Sequence, residues 1–93
     1  EILHAKDGAE AYDLYKANPQ IDLVLMDIKL PDTNGYDLTK ELLAFRGNVP
    51  FIAQTAFALK GDKEAAMKSG CVDHISKPID SDELIEKIKI HTS

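Results

Sequence analysis

The sequence is poor in several residue types, and each shortage excludes a class of protein. The single cysteine, Cys71, excludes an internal disulfide and a cysteine-based zinc site, which is typical of a chain that folds in a reducing cytoplasm. No apolar run approaches the roughly 20 residues that cross a bilayer, so we expect no membrane contact from this domain. Acidic residues outnumber basic ones, and the net charge of −5 argues against a surface that binds nucleic acid.

The length allows one small domain with a single core. The chain has 93 residues, of which 44% are hydrophobic and 29% are charged, as in an ordinary soluble globular protein. It contains no internal repeat, low-complexity tract or linker. We therefore expect residues 1–93 to form one domain.

The pattern of apolar residues predicts strands that alternate with helices. Pro19, Gly35 and Gly70 interrupt the pattern where an element is expected to end or begin. The predicted strands span 1–5, 22–27, 49–54 and 72–76. The predicted helices span 8–18, a stretch after Asn34, a stretch clearest over 62–69, and a stretch after Asp80 or Ser81.

Two of these helices have a clear beginning and a clear apolar face. Asp7 and Asn34 are suited to cap the first two helices, because their side chains accept hydrogen bonds from backbone N–H groups of the first turn. Spacings of three and four residues then predict a core-facing stripe on each helix. The first stripe is Ala11, Leu14 and Tyr15, and the second is Leu38, Leu42 and Phe45.

Strand–helix alternation with short connections predicts an α/β fold: a parallel sheet with helices on both faces. The carboxyl ends of parallel strands meet at one edge of such a sheet, where open α/β proteins place their chemistry. Asp27, Thr55 and Lys77 each lie at or just after a predicted strand end. A carboxylate, a hydroxyl and an ammonium at one edge are suited to receive a phosphoryl group, with the carboxylate as nucleophile.

Three separated motifs carry a family resemblance: LVLMDIKLPDTNGYDL around Asp27, PFIAQTA around Thr55, and DHISKPID around Lys77. Together they resemble the receiver domain of two-component response regulators and hybrid histidine kinases. The resemblance implies a flavodoxin-like doubly wound sheet. It implies Asp27 as the phospho-acceptor, Thr55 as the hydroxyl that moves onto the aspartyl phosphate, and Lys77 as the pairing cation. It also implies a cis peptide before Pro78.

The resemblance also implies partners, a metal and a switch. The phosphoryl donor is expected to be a histidine kinase or a phosphotransfer domain, and no turnover of a small molecule is expected. The complete domain is expected to bind Mg²⁺ through Asp27, the backbone carbonyl of Lys29 and an acidic pair. His74 stands where the family carries a rotating aromatic residue, and Ala56 provides room beside the phosphoryl group. The run from Ala56 to Ile79 looks most like receivers fused to hybrid kinases.

The main departure from the family lies at the beginning of the chain. The family's first strand, its acidic pair and its first helix have no counterpart here, and neither Asp7 nor Asp32 matches the pair. We therefore expect an N-terminally truncated receiver with weak or absent magnesium binding. The missing strand belongs between 1–5 and 22–27. Either this chain is part of a longer protein that supplies the strand, or the chain repairs the gap by self-association or by direct pairing of those two strands.

Other interpretations remain open at this point. A pseudo-receiver that is never phosphorylated is favoured by the missing acidic pair and opposed by Asp27, Thr55 and Lys77. A phosphatase of the haloacid dehalogenase type also uses a strand-end aspartate, but it needs a second aspartate where Lys29 stands. Taken alone, Lys77 is also consistent with a solvated lysine, and His74 with a half-exposed strand histidine. We expect Cys71 to be an inert buried thiol.

Overall fold

The computed structural model describes residues 2–55, 60–77 and 79–92, with side chains left out over 60–63. Eight elements alternate along the chain, which confirms the predicted order. The strands are β1 (Ile2–Ala5), β2 (Leu23–Asp27), β3 (Phe51–Thr55) and β4 (Asp73–Ser76). The helices are α1 (Gly8–Ala17), α2 (Gly35–Phe45), α3 (Lys60–Ser69) and α4 (Ser81–Thr92). The expectations for Ala56 and for a cis peptide before Pro78 lie outside the described residues.

Side-chain caps explain where α1, α2 and α4 begin. The Asp7 carboxylate accepts a hydrogen bond from the Glu10 N–H at 3.1 Å, and the Asn34 side chain accepts one from the Tyr36 N–H at 2.7 Å. Both caps were predicted. At α4 the Asp80 carboxylate accepts from Asp82 N–H at 2.9 Å, so Asp80 and not Ser81 is the cap.

Gly70 ends α3 as predicted. Its φ of +107° lies in the left-handed region, which glycine enters without the steric cost that a Cβ brings.

The four strands form one parallel sheet in the order β1-β2-β3-β4. β1 pairs directly with β2, from Ile2 opposite Leu23 to Ala5 opposite Met26. The structure therefore has the direct pairing, which is one of the outcomes expected from the sequence, and no gap remains between these two strands. Direct pairing satisfies backbone groups of β2 that a gap would leave without partners.

Helices cover both faces of the sheet, but unevenly. Three helices, α1, α2 and α3, pack on one face around a large apolar cluster, while α4 alone packs on the other through Leu84 and Ile88. The first cluster includes Leu3, Ala5, Ala11, Tyr15, Val24, Met26, Leu38, Leu42, Phe51, Ala53 and Ala66. The second is Leu23, Leu25, Ile52 and Ile75. Successive strand residues alternate between the two clusters, as the period of a strand requires.

Two members of the predicted stripes are not in the core. Leu14 is 38% exposed and Phe45 is 53% exposed. α1 covers β1, which is an edge strand, so the side of α1 that carries Leu14 has no further strand to cover. Phe45 is the last residue of α2, where its ring lies beneath the Lys16 ammonium at 5.0 Å.

Two further sequence expectations concern the core and the membrane. Cys71 is buried as expected, and burial raises the pKa of its thiol, which disfavours the reactive thiolate. Within the described ranges, none of the helices has the length and apolar character needed to cross a bilayer.

Candidate functional site

The site is built at the carboxyl edge of the sheet around Asp27, the last residue of β2. Asp27 is in register with Gln54 on β3, and its side chain points to the face that α4 covers. The Lys77 Nζ lies 2.8 Å from Asp27 Oδ2. The side chains of Lys77 and Asp27 are 40% and 19% exposed, so the ion pair is open to solvent on one side. A phosphoryl donor could therefore approach this carboxylate.

A backbone hydrogen bond brings Lys77 to this edge. The Lys77 N–H donates to the Thr55 carbonyl at 2.8 Å, which continues the pairing of β3 and β4 one residue beyond Ser76. The lysine side chain then crosses in front of β3 to reach Asp27 on β2. The predicted contact between Asp27 and Lys77 is therefore present in the structure.

Thr55 lies between these two residues in the sheet. It is the last residue of β3, is only 5% exposed, and follows Gln54, which is opposite Asp27. All three residues therefore lie at the carboxyl edge of the sheet, and the side chains of Asp27 and Lys77 are in contact. Strand alternation places the Thr55 side chain on the face that α1, α2 and α3 cover, so it reaches the site from the side opposite to Asp27.

His74 lies on the same face of the sheet as Thr55. It is opposite Ala53 on β3, and Thr55 is two residues further along that strand, so the two side chains are diagonal neighbours. His74 is half-buried, with 27% of its side chain exposed. This position is compatible with a switch role and with an ordinary half-exposed strand histidine.

The loop after Asp27 closes on itself. Ile28 N–H donates to the Gln54 carbonyl at 3.1 Å, and Lys29 N–H donates to Asp27 Oδ1 at 3.1 Å. At the far end Gly35 N–H returns to the Ile28 carbonyl at 2.9 Å. A Cβ on Gly35 would lie 2.4 Å from the Asp27 carbonyl oxygen, so only glycine allows this closure. The loop therefore holds a backbone N–H against the candidate acceptor.

Sequence reasoning missed two polar residues beside Asp27. Gln54 is 1% exposed, and its Oε1 accepts a hydrogen bond from His4 Nε2 at 3.1 Å, across β2. Among the described residues the Gln54 Nε2 has no hydrogen-bond partner. The alternation of β3 could have indicated that Gln54 faces the core. Nothing in the sequence indicated that His4 reaches it, because that contact depends on β1 pairing with β2.

The described residues do not fit a magnesium site on their own. Magnesium prefers several oxygen ligands in octahedral geometry. Of the ligands that the family resemblance implies, Asp27 would offer one carboxylate and Lys29 one backbone carbonyl. Within 2–55, 60–77 and 79–92, no three side chains of His, Cys, Asp or Glu are grouped to hold a metal ion. Asp27 Oδ2 is already paired with Lys77.

Comparisons with known proteins show which family this chain is similar to. The family model described as the response regulator receiver domain matches residues 1–89. A polar-differentiation response regulator, DivK, of Brucella ovis is 44% identical over 91 residues, which covers 96% of this chain and 73% of the relative.

Two solved structures have the same fold. The receiver domain of a sensor histidine kinase of Pseudomonas aeruginosa, described with magnesium coordinated in its active-site cleft, superposes with a TM-score of 0.83. It is 34% identical, and the match covers 95% of this chain and 73% of that one. The receiver domain of a Saccharomyces cerevisiae response regulator, crystallised with a histidine phosphotransfer protein, gives a TM-score of 0.85. It is 30% identical, with coverage of 95% and 68%.

Proposed function

This chain belongs to the response regulator receiver family of two-component signalling, and we propose that it accepts a phosphoryl group from a phosphohistidine on Asp27. The observation that carries the proposal is the contact of 2.8 Å between Asp27 Oδ2 and Lys77 Nζ at the carboxyl edge of the sheet. A partly exposed carboxylate paired with a cation is suited to a transfer that adds negative charge at that point.

The proposed reaction is a single phosphoryl transfer. An oxygen of Asp27 attacks phosphorus, and the P–N bond to the donor imidazole breaks. The bonding pair and a proton go to the released histidine, and an acyl phosphate remains on Asp27. Lys77 neutralises the charge that gathers on the phosphoryl oxygens, and the Lys29 N–H orients the carboxylate.

We assign Thr55 and His74 to the response that follows. The new phosphate offers acceptor oxygens at the edge where Thr55 ends β3. A hydroxyl drawn toward those oxygens would leave space on its own face of the sheet, where His74 is the diagonal neighbour. A phosphoryl group shifts such an equilibrium only by its different interaction free energy with the two arrangements.

The donor is proposed to be a histidine kinase or a histidine phosphotransfer protein. The yeast receiver that shares this fold was crystallised with a histidine phosphotransfer protein, which supports a partner of that class. The closed loop and the ion pair at the carboxyl edge are the surface that such a donor must reach.

The test is phosphoryl labelling with phosphoramidate, a small donor that carries the same P–N bond, in excess MgCl₂. Wild type should gain one base-labile phosphoryl group by intact mass, and peptide mapping should place it on Asp27. Asp27→Asn should gain none. Asp13→Asn removes an equal charge from an exposed position on α1 and should label like wild type. Equal labelling of Asp27→Asn and wild type would overturn the assignment.

A second candidate function is a pseudo-receiver that acts only by binding partners. The lack of a second carboxylate beside Asp27 among the described residues favours it. The two functions separate in the same experiment, because a pseudo-receiver would remain unlabelled in wild type as well as in Asp27→Asn.

A further inference from the structure

The loop that follows Asp27 is attached to a second element at its tip. Asp32 Oδ1 accepts a hydrogen bond from Gly8 N–H at 2.8 Å, and Asp32 Oδ2 accepts one from Ala9 N–H at 3.0 Å. Gly8 and Ala9 are the first two residues of α1. A carboxylate from a distant part of the chain therefore binds the beginning of this helix with both oxygens.

Steric contact reinforces these hydrogen bonds. A Cβ on Gly8 would lie 2.5 Å from Thr33 Cγ2 and 2.9 Å from Asp32 Oδ1. The loop therefore rests directly on the Gly8 backbone, in space that only glycine leaves free.

Capping alone does not account for the position of Asp32. Asp7 already caps α1 in the ordinary way, by accepting from Glu10 N–H at 3.1 Å. The hydrogen bonds from the Gly8 and Ala9 N–H groups hold the pKa of Asp32 below its ordinary value. α1 thus has a local cap within its own segment and a second carboxylate from the loop that carries the acceptor.

The base and the tip of the loop are held by different contacts. At the base, Ile28 N–H donates to the Gln54 carbonyl, Gly35 N–H donates to the Ile28 carbonyl, and Lys29 pairs with Asn34 in an antiparallel bridge. Lys29, whose N–H also contacts Asp27 Oδ1, lies between Ile28 and the tip at Asp32. The contacts of Asp32 and Thr33 with α1 are a second attachment, separate from the base.

We propose that Asp32 is a positioning residue: it clamps the loop to α1 and so holds the Lys29 backbone against the acceptor carboxylate. The inference rests on the proposed function for its effect on phosphoryl transfer. The structural part of the inference, that Asp32 couples Lys29 to α1, does not depend on the proposed function. Because coupling is reciprocal, a change at Asp27 that moves the loop also reaches the first turn of α1.

The test compares Asp32→Ala with Asp7→Ala, which removes the other side-chain cap of the same helix without touching the loop. Both variants should lower the urea midpoint of unfolding. Only Asp32→Ala should raise the amide exchange rate of Lys29, measured by NMR. Only Asp32→Ala should slow phosphoramidate labelling of Asp27, by roughly 3- to 10-fold, as expected when an orienting contact is lost. Asp32→Asn, which keeps one acceptor oxygen, should fall between Asp32→Ala and wild type.

Gly8→Ala tests the clamp from its other side. Alanine favours a helix more than glycine does, yet its Cβ must push Asp32 and Thr33 away. The clamp therefore predicts faster Lys29 exchange and slower labelling in this variant, although α1 itself is not weakened.

These measurements distinguish a clamp at Asp32 from an ordinary helix cap, and failure of the clamp from failure of the proposed function. Equal effects of Asp7→Ala and Asp32→Ala on labelling, or unchanged Lys29 exchange in Asp32→Ala, would overturn the clamp. If wild type is not labelled at all, the proposed function fails. Lys29 exchange in the four variants then still decides whether Asp32 positions the loop.

Discussion

Both carboxylate oxygens of Asp27 are engaged before any phosphoryl group arrives. Oδ1 accepts from Lys29 N–H and Oδ2 pairs with Lys77. The ion pair is partly exposed, and such pairs contribute only about 0.2–1 kcal/mol to folding. Lys77 therefore matters less for stability than for the charge it offers to an incoming phosphate. On the other face of the sheet, Thr55 is buried at the same edge, where a hydroxyl can pass the change onward.

Thr55→Val should separate phosphorylation from the response to it. Valine keeps the shape of threonine and removes the hydroxyl, so Asp27 labelling should remain near the wild-type level. The NMR shift changes of His74 that accompany labelling should shrink or vanish, because nothing then links the phosphate to that face. Thr39→Val is the control. It removes a buried hydroxyl that donates to the Gly35 carbonyl at 2.8 Å, costs about 1 kcal/mol and should leave the His74 response intact. Equal His74 shifts in wild type and Thr55→Val would show that Thr55 does not couple the two sites.

Among the elements, α4 is attached to the sheet differently from the other helices. It has no fully buried residue, and its apolar contacts come from Leu84 and Ile88. Near its carboxyl end, Asp73 of β4 binds Lys87 at 2.9 Å and His91 at 3.1 Å. Burial alone would raise the pKa of Asp73, but the hydrogen bonds from Lys87, His91 and His74 N–H outweigh it and lower that pKa.

Asp73→Asn should therefore destabilise the protein in a pH-dependent way. The pKa of Asp73 is lower in the folded state than in the unfolded state. Its stabilisation is thus fully present above the unfolded value of about 3.9 and is lost as pH falls through the folded value. Near pH 7 the variant should lose about 1–2 kcal/mol of unfolding free energy, and near pH 3 the loss should be smaller. Urea unfolding at several pH values measures this. Glu86→Gln, an exposed change on α4, the helix that Asp73 contacts, should show no such loss. A pH-independent loss in Asp73→Asn would contradict the pairing.

The elements also show which features a sequence can predict. The caps Asp7 and Asn34 were predictable because each acts on its own helix within three residues. The burial of Leu14 and Phe45 was predicted wrongly because burial depends on which neighbour covers a helix, and helical spacing does not contain that information. The strand ends could be placed, and with them Asp27, Thr55 and Lys77. The contacts of Gln54 with His4 and of Asp32 with α1 join distant parts of the chain and needed the tertiary structure.

At the scale of the whole molecule, the sheet has a crowded face and an open one. Three helices lie on one face, and α4 alone covers the other. The edge strand β1 leaves Ile2 46% exposed, and the chain carries a net charge of −5. The acceptor carboxylate points to the face of α4 within an acidic molecule, and Lys77 is the cation that contacts it among the described residues. The negative charge at Asp27 is therefore neutralised by Lys77 and by cations from the solvent.

This 93-residue chain should bind magnesium too weakly to saturate at millimolar concentrations. Among the described residues, the Asp27 carboxylate and the Lys29 carbonyl would supply too few oxygen ligands. Lys77 must also leave Asp27 Oδ2 before a cation can bind that oxygen. The phosphoramidate labelling rate should then rise steadily with MgCl₂ without reaching a plateau. NMR titration of the Ile28 and Lys29 amides measures binding directly, and Asp27→Asn serves as the reference without the carboxylate. A saturable shift at millimolar magnesium that disappears in Asp27→Asn would contradict this prediction, since it would mean that further ligands of this chain complete the site.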